Sequence, residues 1–261
     1  MTARVITITS GKGGVGKTTT TANLSAALAE LKKRVVTIDT DIGLRNLDLV
    51  MGVEKRIVAD LVDVIEKRST LREAMIKHRQ YPELYVIPAA QTRDKTAVSP
   101  AQMVDIIAEL RPDFDFILID SPAGIERGYR NAVAAADEVL IVTNPEVSAV
   151  RDADRIIGLI EAGEKKLPMR LIINRIKPDM VRRGEMLSIT DVVDILSIKP
   201  IGIVPDDEGV LIGSNRGELL NGRAGDAFRN IARRLNGEEV PFMTLESGPG
   251  LFGRVARLFR G

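Results

Sequence analysis

The sequence of 261 residues contains no cysteine, no tryptophan and a single histidine, His78. Without cysteine there is no disulfide framework, no thiol nucleophile and no cysteine-ligated cluster, which excludes iron–sulfur reductases and scaffolds. His78 lies in the polar run Lys77-His78-Arg79-Gln80. That setting predicts a solvated surface histidine, and it gives no basis for a Ser-His-Asp or histidine-metal site.

Strong net charge and long apolar runs are also missing. The formal net charge of +1 gives no overall attraction to nucleic acid. No signal peptide precedes Val5, and no apolar run reaches the roughly 18 residues that a membrane span needs. We therefore expect the chain to be made and kept in the cytosol. Hydrophobic residues make up 44% of the chain, which is ample for the core of one α/β domain.

A glycine-rich stretch stands between a strand-like run, Val5–Thr9, and a helix-like run, Thr19–Leu31. It matches the phosphate-loop pattern G-x-x-x-x-G-K-[ST] at every fixed position. The backbone N–H groups of such a loop cradle phosphate oxygens, and the helix N-terminus adds positive potential. Lys17 is expected to reach the β- and γ-phosphates, and Thr18 to bind Mg²⁺. The predicted nucleotide contacts here are Gly11, Lys12, Gly13, Gly14, Val15, Gly16, Lys17, Thr18 and Thr19.

The rest of the chain alternates between strand-like and helix-like segments. Strands are predicted at Val35–Thr40, Leu84–Ala89, Phe114–Asp120, Glu138–Thr143, Met169–Ile176 and Pro200–Val204. Helices are predicted at Pro100–Leu110, Arg130–Ala136, Val150–Glu161, Thr190–Leu196 and Ala224–Leu235. Near-continuous Val, Ile and Leu is typical of parallel strands buried on both faces. The predicted fold class is therefore α/β, with a doubly wound, mostly parallel sheet and helices on both faces.

Acidic side chains stand where two of these strands end, which is where ligands bind in such sheets. Asp39 and Asp41 alternate at the end of one strand, so both carboxylates lie on one face. Asp39 is expected to hold Mg²⁺ through water, and Asp41 to orient the attacking water. Asp120 ends an apolar strand of Walker-B type and is predicted to hold the Mg²⁺ shell. Gly124, in the following turn, is expected to direct its backbone toward a γ-phosphate.

Two stretches carry a family resemblance. The loop K-G-G-V-G-K-T-T, with Lys12 as a second lysine, and the run I-G-L-R-N-L-D at residues 42–48 resemble the deviant Walker-A ATPases of the ParA/MinD family. The resemblance implies a P-loop NTPase that forms a nucleotide-sandwich homodimer on ATP binding, with Lys12 reaching the phosphates of the partner chain. It also implies residue roles outside the phosphate loop. Adenine lies between Asn174-Arg175 and Pro205-Asp206, and partner proteins contact Arg45, Asp152 and Asp154.

The helix over residues 150–161 needs a start signal, and Ser148 is predicted to be its N-cap.

The last part of the chain looks different from the rest. Residues 1–236 form the predicted ATPase domain, 237–249 a linker rich in glycine, proline and acid, and 250–261 an amphipathic helix. Its predicted membrane contacts are Leu251, Phe252, Arg254, Val255, Arg257, Leu258 and Phe259. Arginines opposite an apolar face suit a membrane interface, although a helix docked on the body has the same pattern.

The terminal helix and the I-G-L-R-N-L-D run most resemble the family members that position the division site. That resemblance implies an ATPase that uses ATP and Mg²⁺ and dimerises with ATP. It also implies a location in the cytoplasm and on the cytoplasmic face of the inner membrane, bound to anionic lipids. A MinC-like division inhibitor would be recruited, and a MinE-like activator would trigger hydrolysis and release. The alternatives are a ParA-type DNA-partition ATPase, a flagellar-number-regulating ATPase and a small-molecule kinase. Against the first, no specific nucleic acid is expected as a partner. Against the kinase, no arginine-rich lid is apparent in the sequence.

Overall fold

The computed structural model describes residues 2–93, 97–124, 127–163 and 165–243. Within these ranges the strands are β1 (Arg4–Thr9), β2 (Val35–Asp39), β3 (Ile76–Lys77), β4 (Leu84–Ile87), β5 (Phe116–Asp120), β6 (Glu138–Thr143), β7 (Met169–Ile176) and β8 (Pro200–Pro205). The α-helices there are α1 (Lys17–Glu30), α2 (Leu47–Val50), α3 (Leu61–Ile65), α4 (Leu71–Ala74), α5 (Pro100–Leu110), α6 (Arg127–Ala134), α7 (Val147–Ala162), α8 (Pro178–Arg182), α9 (Ile189–Leu196), α10 (Glu208–Arg216) and α11 (Gly222–Leu235).

The eight described strands form one sheet in the order β3-β4-β2-β5-β1-β6-β7-β8. Every neighbouring pair is parallel except β3 and β4, which are antiparallel at the edge. The predicted α/β fold with a mostly parallel sheet is therefore confirmed. The bounds predicted for β6 and β7 are those of the structure, and the other predicted strands differ by one or two residues at an end.

Helices cover both faces of the sheet, as the continuous apolar strands require. Leu24 and Leu28 of α1 and Phe228 of α11 are buried on one face, together with Ile6 and Ile8 of β1. Side chains one residue out of step along the strands, such as Val5, pack on the opposite face against α5. A further cluster on the α7 and α9 side completes the second helix layer. Because all strands of the central part are parallel, their carboxyl ends meet at one edge, where the phosphate loop lies.

Local predictions are wrong at the starts of two helices and at His78. The helix predicted over Arg130–Ala136 is α6, Arg127–Ala134. The helix predicted from Val150 begins at Val147, and its N-cap residue is Glu146, so Ser148 lies inside the first turn. His78 is buried, with 6% of its surface exposed. Its Nδ1 accepts hydrogen bonds from the backbone N–H groups of Gln80 and Tyr81 at 3.2 and 3.3 Å, so Nε2 carries the proton and donates to the carbonyl of Met51 at 3.1 Å. The polar residues next to His78 predicted exposure, but its burial depends on a contact with Met51, 27 positions away in the sequence.

Among the described residues, none of the helices combines the length and the apolar character that crossing a membrane requires.

Candidate functional site

The phosphate loop connects β1 to α1 and holds a backbone conformation that depends on glycine. Gly14 has φ of 79°, and Gly16, the N-cap of α1, has φ of 97°. An L-residue rarely adopts such positive φ values, so these two glycines are needed for the shape of the loop. The N-terminus of the 14-residue helix α1 begins directly after it. This combination is a ready-made site for phosphate.

Neighbouring elements hold the loop in place. A Cβ atom on Gly11 would lie 2.0 Å from the backbone oxygen of Asp152, so α7 packs directly against the loop. From β7, Asn174 Nδ2 donates to the Val15 carbonyl at 2.8 Å, and Arg175 Nη1 donates to the Gly14 carbonyl at 3.1 Å. Sequence reasoning predicted Asn174 and Arg175 as adenine contacts. The structure gives both of them a role in holding the loop, and their contact with the base stays a prediction.

Two carboxylates lie side by side below the loop. Asp39 and Asp120 are paired in register on β2 and β5, and each is about 1% exposed. Asp39 Oδ1 accepts the Asp41 N–H at 2.9 Å, and its Oδ2 accepts the Leu47 N–H at 3.2 Å. Burial, with the charge of Asp120 added, raises the pKa of Asp39. Burial also raises the pKa of Asp120, although the Lys17 ammonium opposes the rise.

This pair fits the expected Mg²⁺ site. Asp120 also interacts with the Thr18 hydroxyl, so hard oxygen donors come together at one point. Mg²⁺ in nucleotide sites usually takes one or two carboxylates and completes its shell with phosphate oxygens and water. In the part of the chain that the structure describes, no cluster of three or more acidic or histidine side chains offers an all-protein metal cage. The arrangement therefore matches a cation held jointly with a nucleotide.

The segment after β2 forms a compact turn that begins at Asp41. Its carbonyl accepts the N–H groups of Leu44 and Arg45 at 3.1 and 3.2 Å. Arg45 Nε then lies 3.0 Å from Oδ2 of Asp48, whose side chain is fully buried. Burial raises the pKa of Asp48, and the Arg45 guanidinium opposes that rise. Arg45 is thus engaged within its own chain, and its predicted partner contact stays a prediction.

The two loop lysines differ in their surroundings. Lys17 is buried at 8% exposure, whereas Lys12 reaches outward to the start of α7. Lys12 Nζ donates to Ser148 Oγ at 2.9 Å and lies 3.7 Å from Glu146 Oε2. Lys12 is thus engaged with the start of α7 in its own chain. Its action across a dimer stays a prediction.

The remaining predicted contacts lie around the same edge. Gly124 has φ of 88°, and its N–H donates to the Ser10 carbonyl at 3.2 Å. Asp206 follows Pro205 at the end of β8; its N–H donates to the Ile176 carbonyl at 3.0 Å. Arg175 and Asp206 both line an open groove of about 790 Å³, which is large enough for a nucleoside.

The predicted partner contacts on α7 are near the loop. Asp152 is half-buried, and its Oδ1 lies 3.4 Å from Arg155 Nη1. Asp154 is exposed. Because Gly11 packs on the backbone of Asp152, this helix start is joined to the phosphate loop. The predicted tail contacts, Leu251, Phe252, Arg254, Val255, Arg257, Leu258 and Phe259, lie outside the described residues.

Sequence reasoning missed one side chain beside the carboxylate pair. Thr21 Oγ1 lies 3.1 Å from Asp120 Oδ1, and the residue is fully buried. The signal that could have found it is its spacing, since residues three apart on a helix share a side and Thr18 was already assigned to the metal.

Known proteins resemble this chain over almost its whole length. A family model described as an AAA domain matches residues 3–173. The chain is 53% identical to the septum site-determining protein MinD of Bacillus subtilis over 260 residues, which is 97% of each chain. It matches MinD of the Aquifex aeolicus MinC:MinD cell division protein complex with a TM-score of 0.85 at 47% identity, over 93% of this chain and 99% of that one. MinD of Pyrococcus horikoshii in complex with Mg-ADP matches with a TM-score of 0.80 at 30% identity, over 90% and 96%.

Proposed function

This chain belongs to the MinD family of septum site-determining ATPases, and from that premise we propose that it acts as an ATP-controlled switch on the membrane. It is a division-site-positioning ATPase that uses ATP and Mg²⁺. The observation that carries the proposal is the meeting of a complete phosphate loop with two buried carboxylates at one sheet edge. The alternatives, a partition ATPase, a flagellar-number ATPase or a small-molecule kinase, are not favoured beside 53% identity to a septum site-determining protein.

In the proposed site, the backbone N–H groups of residues 11–18 bind the phosphates and Lys17 pairs with their charge. Thr18 and Asp120 would hold Mg²⁺ directly, and Asp39 would hold it through water. The support is their burial and proximity, which are unfavourable for two carboxylates alone. When bound, Mg²⁺ withdraws charge from the phosphate oxygens during transfer.

Hydrolysis needs a water molecule in line with the γ-phosphorus. We assign Asp41 to accept a hydrogen bond from that water and orient it. The water oxygen then bonds to the γ-phosphorus as the bond to the β,γ-bridging oxygen breaks, which yields ADP and phosphate. One proton of the water stays on the phosphate, and the other is released to solvent. Lys12 of the partner subunit adds positive charge at the phosphates in the dimer. Lys12 contacts Ser148 and Glu146 in the single chain, and we propose that dimer formation replaces these contacts.

The membrane part of the proposal uses the segment after the ATPase domain. Residues 1–236 would form that domain, 237–249 a linker, and 250–261 a helix that binds anionic lipid. One short helix with partly buried apolar side chains holds weakly. A dimer presents two of them, and the second binds at high effective concentration, which raises avidity by about 10²–10⁴. ATP would thus place the protein on the cytoplasmic face of the inner membrane by making the dimer.

The proposed partners follow from the relatives. The Aquifex structure is a MinC:MinD complex, so we propose that the ATP-bound dimer recruits a MinC-like division inhibitor. A MinE-like activator would stimulate hydrolysis and return the protein to the cytoplasm. Arg45, Asp152 and Asp154 are the proposed contacts. The packing of Gly11 on Asp152 supports this choice, because it joins that helix to the phosphate loop.

Liposome co-sedimentation tests the switch. The full chain should sediment with anionic vesicles in ATP and stay in solution in ADP. Deletion of residues 250–261, or Phe252→Glu, should abolish sedimentation while nucleotide binding is kept. Val58→Glu is the matched control, because it places the same charge on an 88%-exposed apolar residue of the body. Equal sedimentation in ADP, or sedimentation of the deletion variant in ATP, would contradict the avidity mechanism.

A further inference from the structure

Asp120 is held through both its backbone and its side chain. Its backbone carbonyl accepts both the N–H and the hydroxyl of Thr40, at 3.0 and 2.7 Å. Its side-chain Oδ1 faces Thr21 Oγ1 at 3.1 Å. The first contact fixes the end of β5, whereas the second acts on the carboxylate itself. A carboxylate can rotate about its Cβ–Cγ bond unless an oxygen is held, so the Thr21 contact, together with the Thr18 hydroxyl, determines its direction.

The hydroxyl hydrogen of Thr21 has two acceptors within reach. One is Asp120 Oδ1, and the other is the Lys17 carbonyl, one turn back along α1, at 3.0 Å. If the hydrogen pointed to the Lys17 carbonyl, the hydroxyl lone pairs would face a carboxylate oxygen at 3.1 Å, which is repulsive when Asp120 is ionised. Hydrogen bonds to an ionised acceptor are also roughly twice as strong as neutral ones. A carboxylate that binds Mg²⁺ has to be deprotonated, so Thr21 is the donor to Asp120 in the metal-bound site.

Thr21 differs from Thr18, which is three residues earlier and also interacts with Asp120. Thr18 is assigned to the metal, so its hydroxyl oxygen is committed to the cation when Mg²⁺ is present. Thr21 is fully buried and follows the phosphate loop by three residues, and its contact with Asp120 forms without a nucleotide. Partners that orient metal-binding groups typically change metal affinity by 10–100-fold when they are removed.

We propose that Thr21 is a positioning residue for the Mg²⁺ site, because its buried hydroxyl donates to Asp120 Oδ1 and fixes the direction of that carboxylate. The inference rests on the assignment of Asp120 to Mg²⁺ in the proposed function. It adds a residue that touches neither the phosphates nor the metal. The consequence is specific: Thr21 matters for binding that depends on Mg²⁺ and not for nucleotide binding without it.

The test is the affinity of the full chain for a fluorescent ADP analogue, measured once with excess Mg²⁺ and once with EDTA. The ratio of the two dissociation constants reports the contribution of the metal. Thr21→Val keeps the shape and removes the hydroxyl, so it should reduce this ratio about tenfold. The dissociation constant in EDTA should not change. Thr21→Ser should restore the wild-type ratio, which a purely structural role of the methyl group would not do.

The adjacent residue provides a matched control. Thr20 is also fully buried on α1, and its hydroxyl has no hydrogen-bond partner in the part of the chain that the structure describes. Thr20→Val should leave both dissociation constants as in the wild type. If Thr21→Val does not fold, Thr21→Ser and Thr21→Ala make the same comparison, because both lack the methyl group and only one has the hydroxyl.

Asp120→Asn distinguishes a failure of the Thr21 positioning role from a failure of the Mg²⁺ assignment. If Asp120→Asn lowers the ratio and Thr21→Val does not, the positioning role is wrong and the metal assignment stands. If Asp120→Asn leaves the ratio unchanged, the metal assignment itself is wrong and the positioning role fails with it. A loss in EDTA as large as in Mg²⁺ for Thr21→Val would show a structural role for Thr21 and would also overturn the proposal.

Discussion

The two ends of the sheet use charged side chains in opposite ways. At the amino ends of the strands, Glu138 is 4% exposed and forms ion pairs with Arg4 and Arg170. At the carboxyl ends, Asp39 and Asp120 are also buried, yet each has another carboxylate as its neighbour. One end neutralises its charges within the chain. The other brings like charges together.

This difference indicates that the amino ends of the strands contribute to stability and the carboxyl ends to ligand binding and catalysis. Opposite charges at the amino ends connect β1, β6 and β7. They favour the folded state where the attraction within the ion pairs exceeds the free energy lost when the charges leave water. Like charges at the carboxyl ends disfavour the ligand-free fold, and the Mg²⁺ ion of the proposed site would relieve their repulsion. We therefore expect substitutions at the carboxyl ends to change binding and turnover, and substitutions at the amino ends to change the free energy of unfolding.

The largest expected effect is at the carboxyl end. Asp41→Asn should lower the ATPase rate by on the order of 10²–10⁴, because an uncharged amide oxygen accepts the hydrogen bond of the attacking water more weakly than a carboxylate and orients it poorly. Affinity for Mg-ADP should change by less than about threefold, since the role belongs to the transition state. Steady-state phosphate release and ADP titration measure the two quantities. Asp105→Asn, an identical change at an exposed site on α5, is the control and should match the wild type.

A change at the amino end should reverse the pattern. Glu138→Gln removes the charge that Arg4 and Arg170 share, so the free energy of unfolding should fall by about 2–4 kcal/mol. Urea unfolding measures it, with Glu109→Gln at an exposed position of α5 as the control. The ATPase rate of the folded fraction should stay within about twofold of the wild type. A large loss of turnover with normal stability would break the distinction between the two ends.

A smaller effect is expected where the loop is held. Asn174→Ala removes the bond from Asn174 Nδ2 to the Val15 carbonyl and leaves that buried region less well packed. A loosened loop should bind nucleotide about tenfold more weakly, the equivalent of roughly 1.4 kcal/mol, with Mg²⁺ or with EDTA. Asn236→Ala, at an exposed residue after α11, is the control. Unchanged affinity for Asn174→Ala would mean that the other loop contacts are sufficient.

The sequence predicted best what is decided locally. The strands β6 and β7 were predicted at their observed bounds because both are apolar and enclosed by helices. The region between β2 and β4 was missed, since its helices α2, α3 and α4 have only four or five residues each. Thr70 and Glu73 form a capping box there, a T-x-x-E signal that could have indicated the start of α4.

Functional residues divide in the same way. The positions of the phosphate loop and the strand-end aspartates were predictable because short motifs of adjacent residues indicate them. The bond from Asn174 to Val15 spans 159 positions and depends on the order of strands in the sheet, which no local pattern indicates. The burial of His78 depends in the same manner on a carbonyl 27 positions away.

The smallest expected effect concerns His78, which lies at neither end of the central strands. Its buried imidazole has to remain neutral, in contrast to the charged groups at the two ends. Burial lowers its pKa below the ordinary 6.5, and the nearby Arg56 acts in the same direction. Well above pH 6.5 the imidazole is neutral in both folded and unfolded chains and contributes no pH dependence. As the pH falls through that value, the unfolded chain binds a proton first, so the free energy of unfolding falls with a slope of up to about 1.4 kcal/mol per pH unit. Protonation in the folded chain would convert Nδ1 from an acceptor to a donor and oppose the N–H groups of Gln80 and Tyr81.

The variant His78→Gln removes the titrating group and keeps a side-chain N–H for the Met51 carbonyl. Urea unfolding at pH 7.5, 6.5 and 5.5, values chosen around the ordinary pKa, should show the wild type losing about 1 kcal/mol more than the variant over this interval. Comparing slopes cancels the contribution of the carboxylates, which both proteins share. Glutamine will lower stability at every pH because it fills the site less well, and that constant offset does not enter the slope. Parallel slopes would show that His78 titrates alike in folded and unfolded chains, so that its burial imposes no requirement for neutrality.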